Sequence, residues 1–447
     1  LVKSITFEGG VDVLLERALE SSSFDFRDRG LVQELTYGVL RRLMTIDWRL
    51  EPVLEKPLSR LPLVVQMLLR LGAYQIIFLD RIPQSAAVNE SVRLAKMQAR
   101  GLGRDWSGFV NAVLRQLIRA PVPPWPAVEA GAAKALAVRY AVPEWLSARW
   151  IGRLGIALAE AVCEQSSRVP PVTLRVNRLK ISREEYLAML HGACVSAKPS
   201  SISSVGIMLE EGRPIPSLPG FQEGFFYVED EAAQLIPPLL DLRPGQVILD
   251  ACAAPGGKAT HIAELIGDQG TVYALDRVVG RLALLRRNCA RLGIKSVVPL
   301  AGDARHPSAW VQAIEEGRAR FHVDRILVDA PCSGLGVLRR HPEAKWRKDS
   351  AGFERHHRLQ VEILNAVARC LRPGGVLVYS TCSTEPEENE AVVEEFCRTN
   401  ADFRRESVAP WLPSEAHGFL TRQGDLSTIG NRHSMDSFYA ARLTKVL

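Results

Sequence analysis

From about residue 229 the chain settles into a strand–helix–strand rhythm, and that rhythm restricts its fold more than any other feature. Five short apolar runs carry it: Val247-Ile248-Leu249, Thr271-Val272-Tyr273-Ala274-Leu275, Val297-Val298-Pro299-Leu300, Ile326-Leu327-Val328 and Val376-Leu377-Val378-Tyr379. Helical segments separate most of them. Runs that are continuously apolar belong to strands buried on both faces, which predicts a parallel sheet between helical layers. Ligands on such sheets bind beyond the carboxyl ends of the strands. Four runs end in or just before an acid, at Asp250, Asp276, Asp303 and Asp329, and the fifth ends near Cys382. The chemistry is expected on that edge.

Two thiols follow two of these strand ends. Cys332 stands in Asp329-Ala330-Pro331-Cys332-Ser333-Gly334, and Cys382 in Tyr379-Ser380-Thr381-Cys382-Ser383. After the first run comes the turn Asp250-Ala251-Cys252-Ala253-Ala254-Pro255-Gly256-Gly257-Lys258. Its two glycines let the backbone approach a ligand at a helix start. Asp276 is placed for ribose hydroxyls and Asp303 for an adenine amine. A single aspartate reads equally well as a helix cap, but an ordered series along one edge reads as a binding site. The Gly-x-Gly-x-x-Gly pattern of a dinucleotide turn is absent. The thiols add a reaction type. Carbon 5 of cytosine is a poor nucleophile until a thiolate adds at carbon 6. The resulting enamine attacks an electrophilic methyl group, with an acid supporting N3 and a base removing the C5 proton. Cys163, Cys194, Cys289, Cys370 and Cys397 have no such setting and read as small apolar filler.

A length of 447 residues predicts two or three domains. Residues 1–145 read as all-α, with helices through 31–40, 61–70, 83–97 and 108–119 and a breaker at Pro121-Val122-Pro123-Pro124-Trp125-Pro126. Residues 146–228 read as a small α+β domain, with strands near 172–177, 207–209 and 225–228 and a helix over 183–191. Residues 229–447 form the α/β domain. Residues 1–145 hold 19 Lys and Arg against 15 Asp and Glu, a net +4 that permits a nucleic-acid partner. No apolar run is long enough to span a membrane, and no signal peptide is visible. Eight scattered cysteines with no Cys-x-x-Cys pair argue for reduced thiols in the cytoplasm and against a zinc ribbon. No metal is expected: His356-His357 has no third ligand spaced to join it. A monomer is expected.

At the turn, the strand-end acids and the thiols, the chain resembles the RNA cytosine-C5 methyltransferases that use S-adenosylmethionine. The resemblance covers roughly residues 170–445. It also includes Gly302-Asp303-Ala304-Arg305, His341-Pro342-Glu343-Ala344-Lys345-Trp346-Arg347 and Glu387-Glu388-Asn389-Glu390. It implies a Rossmann-like class I methyltransferase fold after an RRM-like small domain. It also implies Cys382 as nucleophile, Cys332 assisting product release, and cofactor contacts from Cys252, Ala253, Ala254, Pro255, Gly256, Gly257, Lys258, Asp276, Asp303 and Asp329. Tyr37-Gly38-Val39-Leu40-Arg41-Arg42 and Ala86-Ala87-Val88-Asn89-Glu90 resemble a NusB-like RNA-binding domain. The pairing is similar to the bacterial Sun/Fmu (RsmB) type, which implies a cytosine of 16S rRNA, conventionally position 967, as substrate. One departure is Asp436-Ser437-Phe438-Tyr439 where the family usually has Asp-Gly-Phe-Phe.

Between Val337 and Lys348, Arg339, Arg340, Lys345, Trp346 and Arg347 combine cations with a flat ring, which predicts contact with RNA phosphates and an extruded base. Two rival functions remain at this point. A DNA cytosine-C5 methyltransferase would use Cys332 as nucleophile and leave Cys382 idle. A non-catalytic RNA-binding factor would not need two strand-end thiols beside a cofactor turn.

Overall fold

The computed structural model describes residues 10–20, 22–312, 322–430 and 435–446. Residues 1–9 of the expected helical part lie outside them. By packing, the chain divides into two compact units: Leu1–Val169 with Leu338–Lys348, and Pro170–Val337 with Asp349–Leu447.

The second unit begins with a small sheet of β1 (Thr173–Val176), β2 (Ala197–Pro199), β3 (Gly206–Leu209) and β4 (Phe226–Val228), ordered β2-β3-β1-β4. Every pairing in it is antiparallel. Helix Arg183–Gly192 covers one face and starts at a reciprocal cap between Ser182 and Glu185. Its Tyr186 and Leu190 are buried against Leu174, Val176, Ile207 and Phe226. This is the α+β part anticipated from the alternating pattern.

The larger sheet holds the five apolar runs as β5 (Val247–Asp250), β6 (Thr271–Asp276), β7 (Val297–Ala301), β8 (Val323–Asp329) and β9 (Leu371–Thr381). All four pairings among them are parallel. Three further strands, β10 (Phe403–Glu406), β11 (Leu426–Ser427) and β12 (Tyr439–Lys445), extend it antiparallel beyond β9. The order is β10-β12-β9-β8-β5-β6-β7, with β11 on β12. Successive residues serve opposite faces, as the pleat requires. Ile248, Val272, Leu327 and Val378 pack with Ile262 and Leu285 on one side. Leu249, Leu275, Ile326 and Leu377 pack with Leu364 and Val367 on the other. The chain runs outward through β5, β6 and β7, then restarts at β8 on the far side of β5. The connections therefore part beyond the carboxyl ends of β5 and β8, where open α/β sheets place their ligands.

The first unit is helical. Its helices span Val11–Glu20, Phe26–Arg41, Leu43–Leu50, Leu63–Phe78, Gln84–Gln98, Ser107–Arg119, Ala132–Tyr140, Glu144–Leu154 and Ile156–Ser167. Val39, Ile46, Leu50, Val65, Leu69, Ala73, Val110 and Leu114 form its dry centre. Gly38 is required by close approach, since a Cβ there would lie 2.1 Å from the Tyr74 ring. The proline-rich breaker has no regular structure, and its Trp125 stacks on Trp48 at 4.6 Å between centroids. Helices Glu144–Leu154 and Ile156–Ser167 belong to this unit. Among the described residues, no helix is long and apolar enough to cross a membrane.

Candidate active site

The turn after β5 is laced into its neighbours. Ala251 N–H donates to Leu327 O and Ala253 N–H to Leu275 O, both at 2.9 Å. Gly256 then takes φ +111°, a left-handed value that a side chain resists, and helix Gly257–Leu265 begins. Asp276, at the end of β6, accepts from Ala254 N–H (3.2 Å) and Val278 N–H (2.8 Å). Arg281 joins the same loop by donating to Ala254 O, and it lies 3.4 Å from Asp276 Oδ2. Asp303 is gripped by Arg305, with Nη2 to Oδ2 at 2.7 Å, and hydrogen bonding from Arg305 holds its carboxyl down at about 2.

A cavity of about 370 Å³ runs over this edge and is lined by Cys252, Ala254, Pro255, Asp276, Asp303 and Asp329, with both Cys332 and Cys382. That size is in the range of small-ligand sites, about 300–1,000 Å³. A second hollow of about 220 Å³ is lined by Tyr227, Glu229, Asp250, Ala253, Gly257 and Lys258, among others. Gly256 lines neither and acts through the turn. Asp276 and Asp303 supply acceptors, Leu359 and Ile363 supply apolar surface, and the thiols share the cavity. The residues fit a nucleoside carrying a reactive sulfonium.

The thiols meet because β8 and β9 are in register at Asp329 and Ser380. Three residues beyond the one and two beyond the other, Cys332 Sγ and Cys382 Sγ lie 3.4 Å apart. Gly336 N–H donates to Cys382 O at 2.8 Å, and a Cβ on Gly336 would lie 2.0 Å from Ser437 O, so only glycine fits. Asp329 accepts from Ser380 Oγ (2.8 Å) on Oδ1 and from Lys258 Nζ (2.7 Å) on Oδ2. Burial works to lower the Lys258 pKa, but Asp329, helped by Glu229 and Cys382, outweighs it, so the ammonium is retained. The hydrogen bond with Cys382, then enclosure and the charges of Cys382 and Glu388, push the Cys332 thiol well above its ordinary value. Asp250 is fully buried, and burial followed by the charge of Asp329 raises its pKa to about 8.

The basic segment after Cys332 departs from expectation. Leu338–Lys348 belongs to the helical unit. Lys345 is fully buried, and its Nζ donates to Arg41 O at 3.2 Å. Trp346 Nε1 donates to Leu40 O at 2.9 Å. Arg339 is also buried, and its carbonyl accepts from Arg41 Nη2 at 3.0 Å. Lys345 and Trp346 serve the last carbonyls of helix Phe26–Arg41, which have no intrahelical partner. Arg339 and Lys345, expected at a phosphate-facing surface, are thus placed among buried groups, and the Trp346 indole is held as a cap. Arg340 and Arg347 are half-buried.

Two side chains to which the sequence reading gave no role hold the site. Arg175 on β1 is fully buried and donates to Glu229 (2.6 Å), Glu264 (2.9 Å), Thr260 Oγ1 (2.8 Å) and Gly257 O (2.6 Å), fastening the small sheet to the cofactor helix. An arginine inside an apolar strand was its signal. Glu388 accepts from Ser333 and Ser383, the residues that follow the two cysteines. Its signal was the repeated Cys-Ser pair. His356 and His357 face carboxylates, at 3.1 Å from Glu388 and 2.8 Å from Glu395. No cluster of three or more metal-ligating side chains occurs among the described residues.

The fold is a doubly wound sheet whose switch point carries a nucleoside-sized cavity lined by two apposed thiols. Comparison with known proteins narrows this. The family model described as 16S rRNA methyltransferase RsmB/F matches residues 237–444, the NusB family matches 7–119, and an RsmF/B-like ferredoxin-like domain matches 142–216. A probable ribosomal RNA small subunit methyltransferase B from Synechocystis is 37% identical over 97% of this chain and 95% of its own. A probable one from Bacillus subtilis is 35% identical over 97% and 94%. The crystal structure of PH0851 matches with a TM-score of 0.80 at 26% identity, covering 99% of this chain and 97% of that one. The chain belongs to the RsmB/F family of 16S rRNA methyltransferases. Its methyl donor is S-adenosylmethionine.

Proposed function

We propose that this chain methylates carbon 5 of a cytosine in 16S rRNA, conventionally position 967, through a covalent bond between Cys382 and carbon 6. The observation that carries the reading is the pair of sulfurs 3.4 Å apart on the cavity that also holds Asp276, Asp303 and Asp329. S-adenosylmethionine, held by the turn at 252–258 with Asp276, Asp303 and Asp329, supplies the electrophilic methyl group. Cys382 adds at carbon 6 and makes carbon 5 nucleophilic. Asp329, fixed by Ser380 and Lys258, holds the N3 edge, and the Lys258 ammonium behind it offsets the negative charge that develops as the thiolate adds. Cys332, 3.4 Å from Cys382, assists the release step, in which a base takes the C5 proton and the bond between Cys382 and carbon 6 breaks.

Residues 1–145 act in this reading as an RNA-binding domain, 146–228 as the small α+β domain, and 229–447 as the catalytic domain. Arg340 and Arg347 remain the RNA contacts of the basic segment. The protein works in the cytoplasm as a monomer, a setting in keeping with eight unpaired cysteines and an RNA substrate. Bisulfite mapping of 16S rRNA from cells lacking the protein tests the substrate. One protected cytosine should become convertible and regain protection on complementation. An unchanged map would refute the assignment.

A further inference from the structure

We propose that Glu388 is the positioning residue that holds the two active-site thiols in apposition. The proposal rests on the covalent reading above and names a residue which that reading leaves without a role. Its carboxylate is fully buried. Oε1 accepts the Ser333 backbone N–H at 2.7 Å and lies 3.1 Å from His356 Nδ1. Oε2 accepts from Ser333 Oγ at 2.5 Å and from Ser383 Oγ. The two hydroxyl oxygens are themselves 3.1 Å apart. Ser333 follows Cys332 and Ser383 follows Cys382, so one carboxylate grips the residue after each thiol.

Register alone does not fix this geometry. The β8–β9 ladder ends at Asp329 and Ser380, and the thiols stand two and three residues beyond it. The residues next to Glu388 are fixed in turn. Tyr379 Oη donates to Glu388 O at 2.6 Å, and Asn389 bonds both Thr381 Oγ1 (2.5 Å) and Ser383 O (3.1 Å). Burial works to raise the Glu388 pKa, but the bonds from His356, Ser333 and Ser383 outweigh it, so the group is held as a carboxylate. That charge also helps Cys332 to keep its proton. Glu388 touches neither sulfur in this arrangement and acts through the two serines.

The test uses the full chain and the variants Glu388→Gln, Ser333→Ala and Ser383→Ala. A misplacement on the order of 1 Å costs about 100-fold in rate, so Glu388→Gln should lower kcat about that far. The Kd for S-adenosylmethionine and the KM for RNA should stay within about twofold, because the clamp is not proposed to bind either ligand. Each serine variant removes one tether and should fall between. A second readout needs no activity. Treatment with diamide, which takes two electrons and two protons from two thiols, closes a Cys332–Cys382 disulfide, and this should slow at least about tenfold in Glu388→Gln, since bonding needs the sulfurs brought to about 2.05 Å. Wild-type kcat together with wild-type closure in Glu388→Gln would overturn the clamp, as would a loss confined to KM. An active Cys382→Ala enzyme would instead overturn the covalent reading, and the closure rate alone would then decide the clamp.

Discussion

The chain on either side of residue 337 carries two different lessons. Residues 329–337 lie in the sheet unit and hold Asp329 and Cys332 on the cavity. Residues 338–348 lie in the helical unit, where Lys345 and Trp346 cap the end of helix Phe26–Arg41. In sequence both read as active, the first for its thiol and the second for its charge and its tryptophan. The first reading rests on topology, because strand ends on a parallel sheet are obliged to face one edge. The second rests on composition. A lysine is assumed to be solvated unless something buries it, and what buries this one is a helix end some 300 residues upstream in sequence. The placement of the first stretch on the cavity was legible, and the packing partner of the second was not.

The largest expected effect sharpens the first half. Asp329→Asn removes the charge that orders Lys258 at the site, and kcat should fall about 10²–10³-fold, as when a charge-stabilising group is lost. Single-turnover methylation of an rRNA fragment measures it, and an unchanged rate would remove Asp329 from the chemistry.

Trp346→Ala tests the second half. It deletes a partly buried ring and leaves Leu40 O without its donor, so unfolding in urea should lose about 2–4 kcal/mol. Weaker RNA binding at unchanged stability would restore the surface reading.

Asp276→Ala returns to the sheet edge. Its carboxylate would be lost both to ribose hydroxyls and to the backbone of the turn. Titration calorimetry should show S-adenosylmethionine binding weakened by about 1.5–3 kcal/mol. Equal affinity would move the ribose contact elsewhere.

The smallest effect is a pH slope. Burial, with the charges of Arg41 and Arg42, pushes Lys345 down to about 7. Above that pH the folded chain has lost this proton while the unfolded chain keeps it to about 10.4. The unfolded state then binds more protons, so this group makes stability rise with pH, by about 1.4 kcal/mol per unit. Wild type minus Lys345→Met, followed from pH 7 to about 8.5, before thiols titrate in the unfolded chain, should show that slope. A flat difference would mean that Lys345 is solvated.

The same contrast explains what could be read from sequence elsewhere. The five parallel strands, the small sheet and the N-terminal helices follow from periodicity and apolar runs. Strands β10 to β12 do not, because β12 mixes Arg442, Thr444 and Lys445 with apolar residues, and its pairing with β10 and β9 decides its state. The position of Cys332 and Cys382 on the cavity was legible from their strand ends. Arg175 and Glu388 were not, because a buried ion is justified only by partners distant in sequence, such as Glu264 for the one and Ser333 for the other.

The account turns on which sulfur bonds to the base. Cys382→Ala and Cys332→Ala enzymes, incubated with labelled rRNA fragment and S-adenosylmethionine, are separated on denaturing gels. A denaturant-resistant protein–RNA adduct should accumulate with Cys332→Ala, where elimination stalls, and should be absent with Cys382→Ala, where the bond cannot form. An adduct with Cys382→Ala and none with Cys332→Ala would contradict the account and make Cys332 the nucleophile.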